Sequence, residues 1–430
     1  MGRPRKNPVA SVNSKKVYSL DGMSDIICDA DILWELLLKR ITKMTRIYGF
    51  TRVETPLLED INLYKNAYRE DGNFLKSVVS VDSDQRMALR TSILPSLLRA
   101  FIQHKLYDKT PLYKWFYSGF VVSGEQGHKN MVSDYEYGFE VLGQFNHLTE
   151  AQVVGVVWEF LRSLGLTEFV LEINNIGKAD CQNLYQDTLQ SYLSGKKYQL
   201  CDNCNEHLSG RILNVFRCDN LDCQAIYSEA PTILDFLDQD SHKHFTNILE
   251  ALDELGIPYQ LNPYFAGPEG QSRTNFVIKY KIKDVTFILG EGGYHDELLQ
   301  SLSGKNLSSF GFKGSLIKLH ELLELSKIEA AFENRNDVFL VPLGELASKK
   351  SLKLFRDLTN AKVSVYDHFG NVGVKNQLKE AEVQKAPIAL IMGQKEAMDE
   401  MVILRDVKSG MQEIISYDKI VDEVKKRLGR

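Results

Sequence analysis

The feature that most constrains how this 430-residue chain folds is a change in the order of its helix-like and strand-like patterns near residue 337. Before that point the two kinds of pattern occur in separate blocks. The stretches 112–122 and 135–142 alternate like two strands, and the polar segment 123–134 between them is predicted to be the loop of a long hairpin. Segregated helices and antiparallel strands indicate an α+β domain.

After residue 337, strands and helices alternate along the chain. Short apolar strands are predicted at 338–341, 363–366 and 388–392, with helical patterns at 347–358 and 374–386 between them. Such a βαβαβ order predicts a mixed sheet flanked by helices, which is an α/β domain separate from the first.

These patterns predict the organisation of the whole chain. Residues 1–16 are basic, with little to bury, and are predicted to form a flexible tail. A core covers 17–327 and contains a mostly helical insert at about 179–256, and the C-terminal domain covers 337–430. The polar stretch 328–336 is the predicted linker.

Composition limits the classes of protein to which the chain can belong. Hydrophobic residues make up 43% and charged residues 25%, which is typical of a globular protein and excludes wholesale disorder. The 52 basic and 57 acidic residues give a net charge of -5, which excludes a globally basic nucleic-acid binder but allows local basic patches. No apolar run approaches the roughly 18 residues of a membrane span, and the charged N-terminus is unlike a secretory signal. A cytoplasmic location is therefore expected.

Four of the six cysteines lie close together in the insert, as two pairs separated by thirteen residues: Cys201, Cys204, Cys218 and Cys223. Four thiolates in two short loops can surround one structural Zn²⁺ tetrahedrally. The alternative is that free cysteines fill the core of a small helical insert. A catalytic metal is disfavoured because four protein thiolates leave no open coordination position.

Three glutamates of the predicted hairpin are candidate pocket residues. Glu125 ends one strand, and Glu136 and Glu140 lie on the returning strand, where the spacing of four places both on one face. Such a carboxylate pair can serve acid–base chemistry or bind a cationic ligand. It can equally be part of a solvated sheet face.

Segments along nearly the whole chain from about residue 22, among them IYGFTRVETPLLE at 47–59 and GFKGSLIKLHELL at 311–323, resemble histidyl-tRNA synthetases, which are class II aminoacyl-tRNA synthetases. Residues 47–59 (IYGFTRVETPLLE) resemble motif 1, which builds the homodimer interface of that family. Residues 115–143 resemble the motif 2 hairpin, and 311–323 (GFKGSLIKLHELL) occupy the place of motif 3. The insert resembles that of bacterial members, and 371–382 and 389–415 resemble the anticodon-binding domain. The resemblance implies a class II core, a homodimer and tRNA as a ligand.

At the positions that match the family's ligand-binding residues, this chain departs from the family pattern. Ser123 and Lys318 stand where motifs 2 and 3 carry arginines that bind ATP phosphates, and Gly267 stands at or near a third arginine. Ser92, next to Arg90, replaces the glutamate that holds the amino group of the substrate. Residues 291–298 (EGGYHDEL) are predicted to place bulk and a charge in a ligand-facing glycine-rich turn. Glu125 and Glu140 match the family, and Glu136 replaces a glutamine.

The missing arginines predict a loss of catalysis. Adenylation stabilises a highly charged α-phosphate with guanidinium groups, and a lysine does not reproduce their planar fork. Loss of one such donor commonly costs about 3 kcal/mol in the transition state. We therefore expect a degenerate paralogue that binds tRNA or a protein partner as a homodimer. Two alternatives are an active histidine–tRNA ligase, which would use ATP and Mg²⁺, and a regulatory subunit of ATP phosphoribosyltransferase in histidine biosynthesis.

A group of basic residues in the C-terminal domain is the candidate RNA-binding surface. Phosphate contacts from such residues supply affinity without reading sequence. The alternative is that these side chains only solubilise exposed helices. The candidates are Lys349, Lys350, Lys353, Arg356, Lys375 and Lys379.

Overall fold

The computed structural model describes residues 18–23, 25–26, 32–68, 72–125, 129–208, 212–265, 267, 271–283, 285–326, 337–367 and 373–429. It divides into two compact units, Met1–Ala330 and Ala331–Arg430. The predicted basic tail 1–16 and linker 328–336 lie outside the described residues. Among the described helices, none combines the length and apolar character needed to cross a membrane.

The first unit contains eleven described α-helices and ten described strands. Its helices are α1 Ile32–Ile47, α2 Ile61–Ala67, α3 Gly72–Lys76, α4 Ile93–Gln103, α5 His147–Ser163, α6 Ala179–Ser194, α7 Asp202–Leu208, α8 Leu221–Tyr227, α9 Gln239–Glu254, α10 Asp296–Ser303 and α11 Leu316–Ser326. Its strands are β1 Thr51–Arg52, β2 Leu58–Asp60, β3 Met87–Leu89, β4 Leu112–Glu125, β5 Lys129–Gly143, β6 Phe169–Asn175, β7 Tyr259–Leu261, β8 Ser272–Ile282, β9 Val285–Tyr294 and β10 Ser308–Ser315.

Eight of these strands form one sheet in the order β1-β4-β5-β10-β9-β8-β6-β7, and β2 and β3 form a small separate two-stranded sheet. All pairs between β4 and β6 along this order are antiparallel, and only the edge strands β1 and β7 pair in parallel. An α+β unit dominated by an antiparallel sheet is the fold predicted from the sequence, and that prediction is confirmed.

Two local predictions in this sheet are wrong. Within the segment 123–134, predicted to be a loop, the described residues 123–125 and 129–134 continue the β4–β5 ladder, with Ser123 opposite Val132 and Glu125 opposite Lys129. In the predicted glycine-rich turn 291–298, residues 291–294 instead continue strand β9 between β8 and β10, and helix α10 begins at Asp296. In both places the backbone hydrogen bonds of neighbouring strands extend the sheet through residues with weak strand propensity of their own.

Alternation along the strands gives the sheet one apolar face and one polar face. On β5, Tyr137, Phe139 and Val141 are fully buried with helices α1, α5, α9 and α11 in the main core. Glu136 and Glu140 point to the opposite face, which we call the pocket face. Helices α2, α4 and α10 form a second apolar cluster with side chains of strand β4 such as Trp115.

The second unit has a five-stranded sheet in the order β12-β11-β13-β14-β15. Strands β12, β11 and β13 are parallel to one another, and β14 and β15 are antiparallel additions. Its elements are β11 Val338–Pro342, α12 Glu345–Asn360, β12 Val365–Asp367, α13 Val374–Val383, β13 Ile388–Met392, α14 Gln394–Met398, β14 Met401–Asp406, β15 Gln412–Ser416 and α15 Ile420–Arg427. This mixed sheet confirms the α/β architecture predicted for the C-terminal domain.

Helices cover both faces of the second sheet. Alternate residues of β11 belong to different apolar clusters, because successive strand side chains point to opposite faces. Val338 and Leu340 pack with α12, α14 and α15, whereas Phe339 and Val341 pack with α13. Helices α12 and α13 therefore lie on opposite sides of the sheet.

Candidate functional site

The candidate pocket of the first unit is built on the pocket face around Glu136 and Glu140, which are 9% and 0% exposed. Opposite Glu136 lies Gly119 of β4, and opposite Glu140 lies Gly311 of β10. Glu125 does not join the pair. It is exposed, accepts a hydrogen bond from Asn130, and lies six residues, or about 20 Å, along β4 from Gly119.

The carboxylate of Glu136 binds the N-terminus of helix α4. Its carboxylate accepts hydrogen bonds from the Ile93 amide at 2.8 Å and from the Ser92 hydroxyl at 3.1 Å. Burial raises the pKa of Glu136, and the nearby Lys313 opposes this effect. Two of the predicted pocket residues, Ser92 and Glu136, are thus brought together, and they bind each other.

Arg90 forms hydrogen bonds with the backbone of two segments beside the pocket. Its guanidinium donates to the Phe120 carbonyl at 2.8 Å and to the Thr55 carbonyl at 2.7 Å. Gly119 leaves room for it, since a Cβ there would lie 2.6 Å from Nη2. Burial lowers the pKa of Arg90. The guanidinium of Arg90, predicted to be a remnant of the substrate pocket, therefore donates its hydrogen bonds to backbone carbonyls.

Glu140 binds two side chains that sequence reasoning missed. Its Oε1 lies 3.0 Å from Nδ1 of His295 and accepts a short hydrogen bond from the Ser309 hydroxyl. On the other side of the imidazole, Gln271 Nε2 lies 3.4 Å from His295 Nε2. Residues 271, 295 and 309 are far apart in sequence, so only the sheet brings them to Glu140.

A lysine that the sequence interpretation overlooked also points to the pocket face. Lys313 lies two residues after Gly311 on β10, and its Nζ is 3.6 Å from a carboxylate oxygen of Glu291 on β9. Strand alternation from Gly311 would have identified it. Its charge faces Glu291 and Glu136, so this cation is balanced within the pocket.

The three positions at which the resemblance predicts missing arginines lie in different segments of the first unit. Ser123 is half-buried on β4, where its backbone bridges to Val78. Lys318 is exposed in the first turn of α11. Gly267 is buried with φ +65°, and a Cβ there would lie 2.3 Å from Oε1 of Gln271. A side chain of arginine size at 267 would collide with that amide.

The four cysteines of the insert form one cluster. Their Sγ atoms all lie within 4.8 Å of one another, and Sγ of Cys201 is 3.7 Å from Sγ of Cys218. A tetrahedral Zn²⁺ with Zn–S near 2.3 Å requires S···S separations of about 3.8 Å. The amide of Cys204 donates to Sγ of Cys201 and lowers the pKa of that thiol to about 7. The donor set and its spacing fit a bound metal ion.

The structure separates the candidate RNA-binding residues into two groups. Lys349, Lys353 and Arg356 lie on α12, and Lys375 and Lys379 lie on α13 on the other side of the sheet, so the five do not form one surface. On α12, Lys349 pairs with Glu345 and Arg356 with Asp357. Among the described residues, no ion pair involves the exposed Lys375 or Lys379.

A cavity of about 530 Å³ lies beside α12 in the second unit. Two lysines, Lys350 and Lys353, line it, but so do four carboxylates: Glu396, Asp399, Glu400 and Asp418. Lys350 is already paired with Glu400 at 3.2 Å. Its net negative lining makes this cavity unsuited to a phosphate.

Comparisons with known proteins agree with the two-unit architecture. A sequence model described as "Histidyl-tRNA synthetase" matches residues 23–203, and one described as "Anticodon binding domain" matches 337–427. The histidine–tRNA ligase of Dehalococcoides mccartyi is 26% identical over 412 residues, covering 95% of this chain and 99% of that protein. That of Thermosipho melanesiensis is 28% identical, covering 94% and 97%.

Solved structures show the same fold. Apo histidyl-tRNA synthetase from S. aureus superposes with a TM-score of 0.76 at 23% identity, covering 95% of this chain and all of that one. An ATP phosphoribosyltransferase regulatory subunit/histidyl-tRNA synthetase from Bacillus halodurans gives 0.61 at 17% identity, covering 88% and 99%. The fold is thus that of a class II synthetase core joined to an anticodon-binding domain. The sequence models, the curated relatives and the solved structures together support the histidyl-tRNA synthetase family, which the motifs predicted.

Proposed function

We propose that this chain does not form histidyl-adenylate and instead binds tRNA through its C-terminal unit. The observation that carries the first part is that the charged groups of the pocket are engaged within the chain. Arg90 binds carbonyls, Glu136 binds the start of α4, and Lys313 faces Glu291. None of these groups is left to bind a triphosphate.

Electrostatics supports the loss of adenylation. The reaction concentrates negative charge on the α-phosphate, which fixed cationic donors must stabilise. Here the three carboxylates of Glu136, Glu140 and Glu291 outnumber the two described cations, Lys313 and Arg90. A net negative pocket repels ATP, and a paired ammonium with a guanidinium bound to carbonyls is a poor substitute for two or three free guanidinium groups.

Histidine-dependent ATP–pyrophosphate exchange tests this proposal. We expect exchange at least about a thousandfold below that of a histidine–tRNA ligase such as the Dehalococcoides mccartyi protein, because several charge-stabilising donors are missing. Robust exchange by the purified chain would overturn the proposal and favour the active-ligase alternative.

The RNA-binding part of the proposal rests on α13. Lys375 and Lys379 are exposed one helical turn apart, and two lysines at this spacing repel each other mildly. A phosphate placed between them would relieve that repulsion without breaking an existing ion pair. Filter binding with tRNA at about 50 mM salt should detect the complex, since phosphate contacts are strongest at low salt.

We further propose that the cysteine cluster holds a structural Zn²⁺ and that the chain forms a homodimer. Four thiolates complete a tetrahedral shell, so the ion would tie the insert together and leave no position for a substrate. For the dimer, the segment that resembles motif 1 exposes apolar side chains: Ile47, Leu57 and Leu58 are 65%, 46% and 48% exposed.

A regulatory subunit of ATP phosphoribosyltransferase is the second candidate function, because the Bacillus halodurans chain shares the fold. A complete anticodon-binding domain at 337–427 favours RNA binding over this candidate. Calorimetry with free histidine discriminates the two, since a histidine-sensing regulator requires micromolar binding.

A further inference from the structure

The imidazole of His295 lies in an environment built for that ring. His295 is 5% exposed and Glu140 is fully buried. The carboxylate of Glu140 lies 3.0 Å from Nδ1, and the amide of Gln271 lies 3.4 Å from Nε2. Each ring nitrogen therefore faces a polar group, one from strand β5 and one from the residue that precedes strand β8. With the proton on Nδ1, the ring donates to Glu140 and accepts from Gln271, an assignment that follows from the hydrogen-bond network.

Glycines make room for both bracketing side chains. A Cβ on Gly311 would lie 1.8 Å from Oε2 of Glu140, so the carboxylate lies directly over that residue. A Cβ on Gly293 would lie 2.8 Å from Oε1 of Gln271, and one on Gly267 would lie 2.3 Å from it. The amide therefore also depends on glycine backbone beneath it.

The backbone of His295 is held independently of its ring. Its amide donates to the Ser309 carbonyl at 2.8 Å, and its carbonyl accepts from the Leu299 amide in the first turn of α10. Ser309 itself donates from its amide to Asp296 at 2.8 Å. Removing the imidazole therefore leaves the backbone contacts of the flanking strand and helix in place. It also leaves a cavity with the shape of the ring.

We propose that the floor of the pocket is an imidazole-binding site that the chain fills with its own His295. The recognition chemistry is a carboxylate at one ring nitrogen and an amide at the other, which suits a five-membered ring with nitrogens in the 1 and 3 positions. The wild-type chain consequently binds neither imidazole nor free histidine there, and loss of the His295 side chain opens the site. The inference concerns this pocket alone and goes beyond RNA binding.

Titration of the full-length His295→Gly variant with imidazole tests the proposal. Calorimetry should show one site per chain with a dissociation constant between about 10 µM and about 10 mM, the range open to a ligand of five heavy atoms. Imidazole should also raise the Tm of the variant by about 2 °C or more at saturating concentration. N-methylimidazole, which has no N–H to donate to Glu140, should bind at least about tenfold more weakly.

Two comparisons make the result specific. Wild-type protein should show no binding of imidazole, and the double variant with Glu140→Ala should lose the binding gained by His295→Gly. A folded His295→Gly variant that does not bind imidazole would overturn the proposal. The proposal would also be overturned if imidazole bound wild-type protein, or the double variant, as tightly as it binds His295→Gly.

Nuclear magnetic resonance of wild-type protein with ¹⁵N-labelled histidine keeps the proposal testable if the glycine variant does not fold. The ring signals of His295, assigned by comparison with His295→Asn, should report a single tautomer protonated at Nδ1. These signals should not change when free histidine is added in excess. A displaced His295 signal, with histidine bound in its place, would overturn self-occupancy.

Discussion

At the scale of single residues, the pocket consists of buried polar side chains that bind other groups of the chain. Glu136 binds the α4 N-terminus, Glu140 binds His295, and Arg90 binds two carbonyls. Each of these groups is nearly or fully buried. A buried polar group that has no hydrogen-bond partner destabilises the folded state by about 1–3 kcal/mol. Substitutions here should therefore change stability as well as any ligand binding.

The first prediction concerns the pH dependence that Glu136 imposes. Because burial raises the pKa of Glu136 above its ordinary value of 4.5, the native state holds this proton more tightly than the unfolded chain. The wild-type free energy of unfolding therefore falls as pH rises from about the unfolded pKa through the folded one. Glu136→Gln lacks this loss and keeps an acceptor for Ile93, so its stability relative to wild type should increase with pH.

Urea denaturation at about pH 5 and about pH 8 measures that difference. The exposed Glu125→Gln is the matched control, and its stability relative to wild type should be the same at both pH values. A Glu136→Gln variant whose relative stability falls between the two would contradict the assigned environment.

The second prediction concerns the close contact at Gly311. A Cβ in Gly311→Ala would meet Oε2 of Glu140 at 1.8 Å and the Phe139 carbonyl at 2.5 Å. Since the second contact is backbone, the sheet itself must shift, and we expect a loss of about 2 kcal/mol in the free energy of unfolding. Tryptophan fluorescence during denaturation reports it, since all three tryptophans (Trp34, Trp115, Trp158) lie in the first unit.

Gly155→Ala is the matched control for that substitution. Gly155 lies inside helix α5, where a Cβ would meet only side-chain carbons of Leu255 and Ile257 at 3.7 and 3.8 Å. Alanine there should leave stability unchanged or raise it by up to about 1 kcal/mol. Equal destabilisation by both substitutions would argue against the specific contact at Glu140.

At the scale of elements, the insert and the C-terminal helices carry the proposed ligands. Helix α7 and the segment leading to helix α8 are short, and their cysteines form part of a small separate apolar cluster. Short helices with a small core are marginal by themselves. A bound metal ion is therefore expected to stabilise the insert more than its helices do.

The third prediction tests that expectation. Purified wild-type chain should contain about one zinc per chain, measured by mass spectrometry of metals, and Cys204→Ser should contain much less. Hydrogen exchange of residues 197–227 should accelerate in this variant. Cys181→Ser is the matched control, because Cys181 is buried in α6 outside the cluster. A metal-free wild type with slow exchange in the insert would contradict the structural role.

The fourth prediction uses the separation of the two basic groups by the sheet. Lys375→Glu with Lys379→Glu should lower tRNA affinity and reduce the slope of log K against log salt by about 1.5, corresponding to two lost phosphate contacts. Lys349→Glu with Lys353→Glu reverses two charges on α12 and serves as the control with the same change in net charge. A larger effect from the α12 pair would place the RNA on the opposite face of the sheet.

At the scale of the whole molecule, the chain consists of two units that each have their own apolar cores. The proposed functions divide between them: the pocket and the metal cluster belong to the first, and the RNA-binding helix belongs to the second. Substitutions in one unit should therefore leave the ligand of the other unaffected.

The fifth prediction follows from this division. A chain that ends at residue 330 should retain the cooperative unfolding of the first unit, because the core and its sheet are contained within it. It should lose tRNA binding in the filter assay. Undiminished binding by this shortened chain would move the RNA site into the first unit and contradict the assignment to α13.

Local patterning determined the α+β core and the α/β C-terminal domain, because hydrophobic periodicity is a property of contiguous residues. Contiguous motifs likewise carried the resemblance to histidyl-tRNA synthetases. Local patterning also placed Glu136 and Glu140 on one face, since strand alternation is local. Neighbouring strands, however, extended β4 and β5 through 123–125 and 129–134, and they converted residues 291–294 of the expected turn into strand.

Only the tertiary structure decided which side chains meet. Glu140, Gln271, His295 and Ser309 converge from four separate segments, so no sequence spacing announces their contact. The sheet of the second unit likewise separates Lys353 from Lys375, although both looked like parts of one basic surface. Partners of buried polar groups depend on strand order and register, and these are set by long-range packing and not by neighbouring residues.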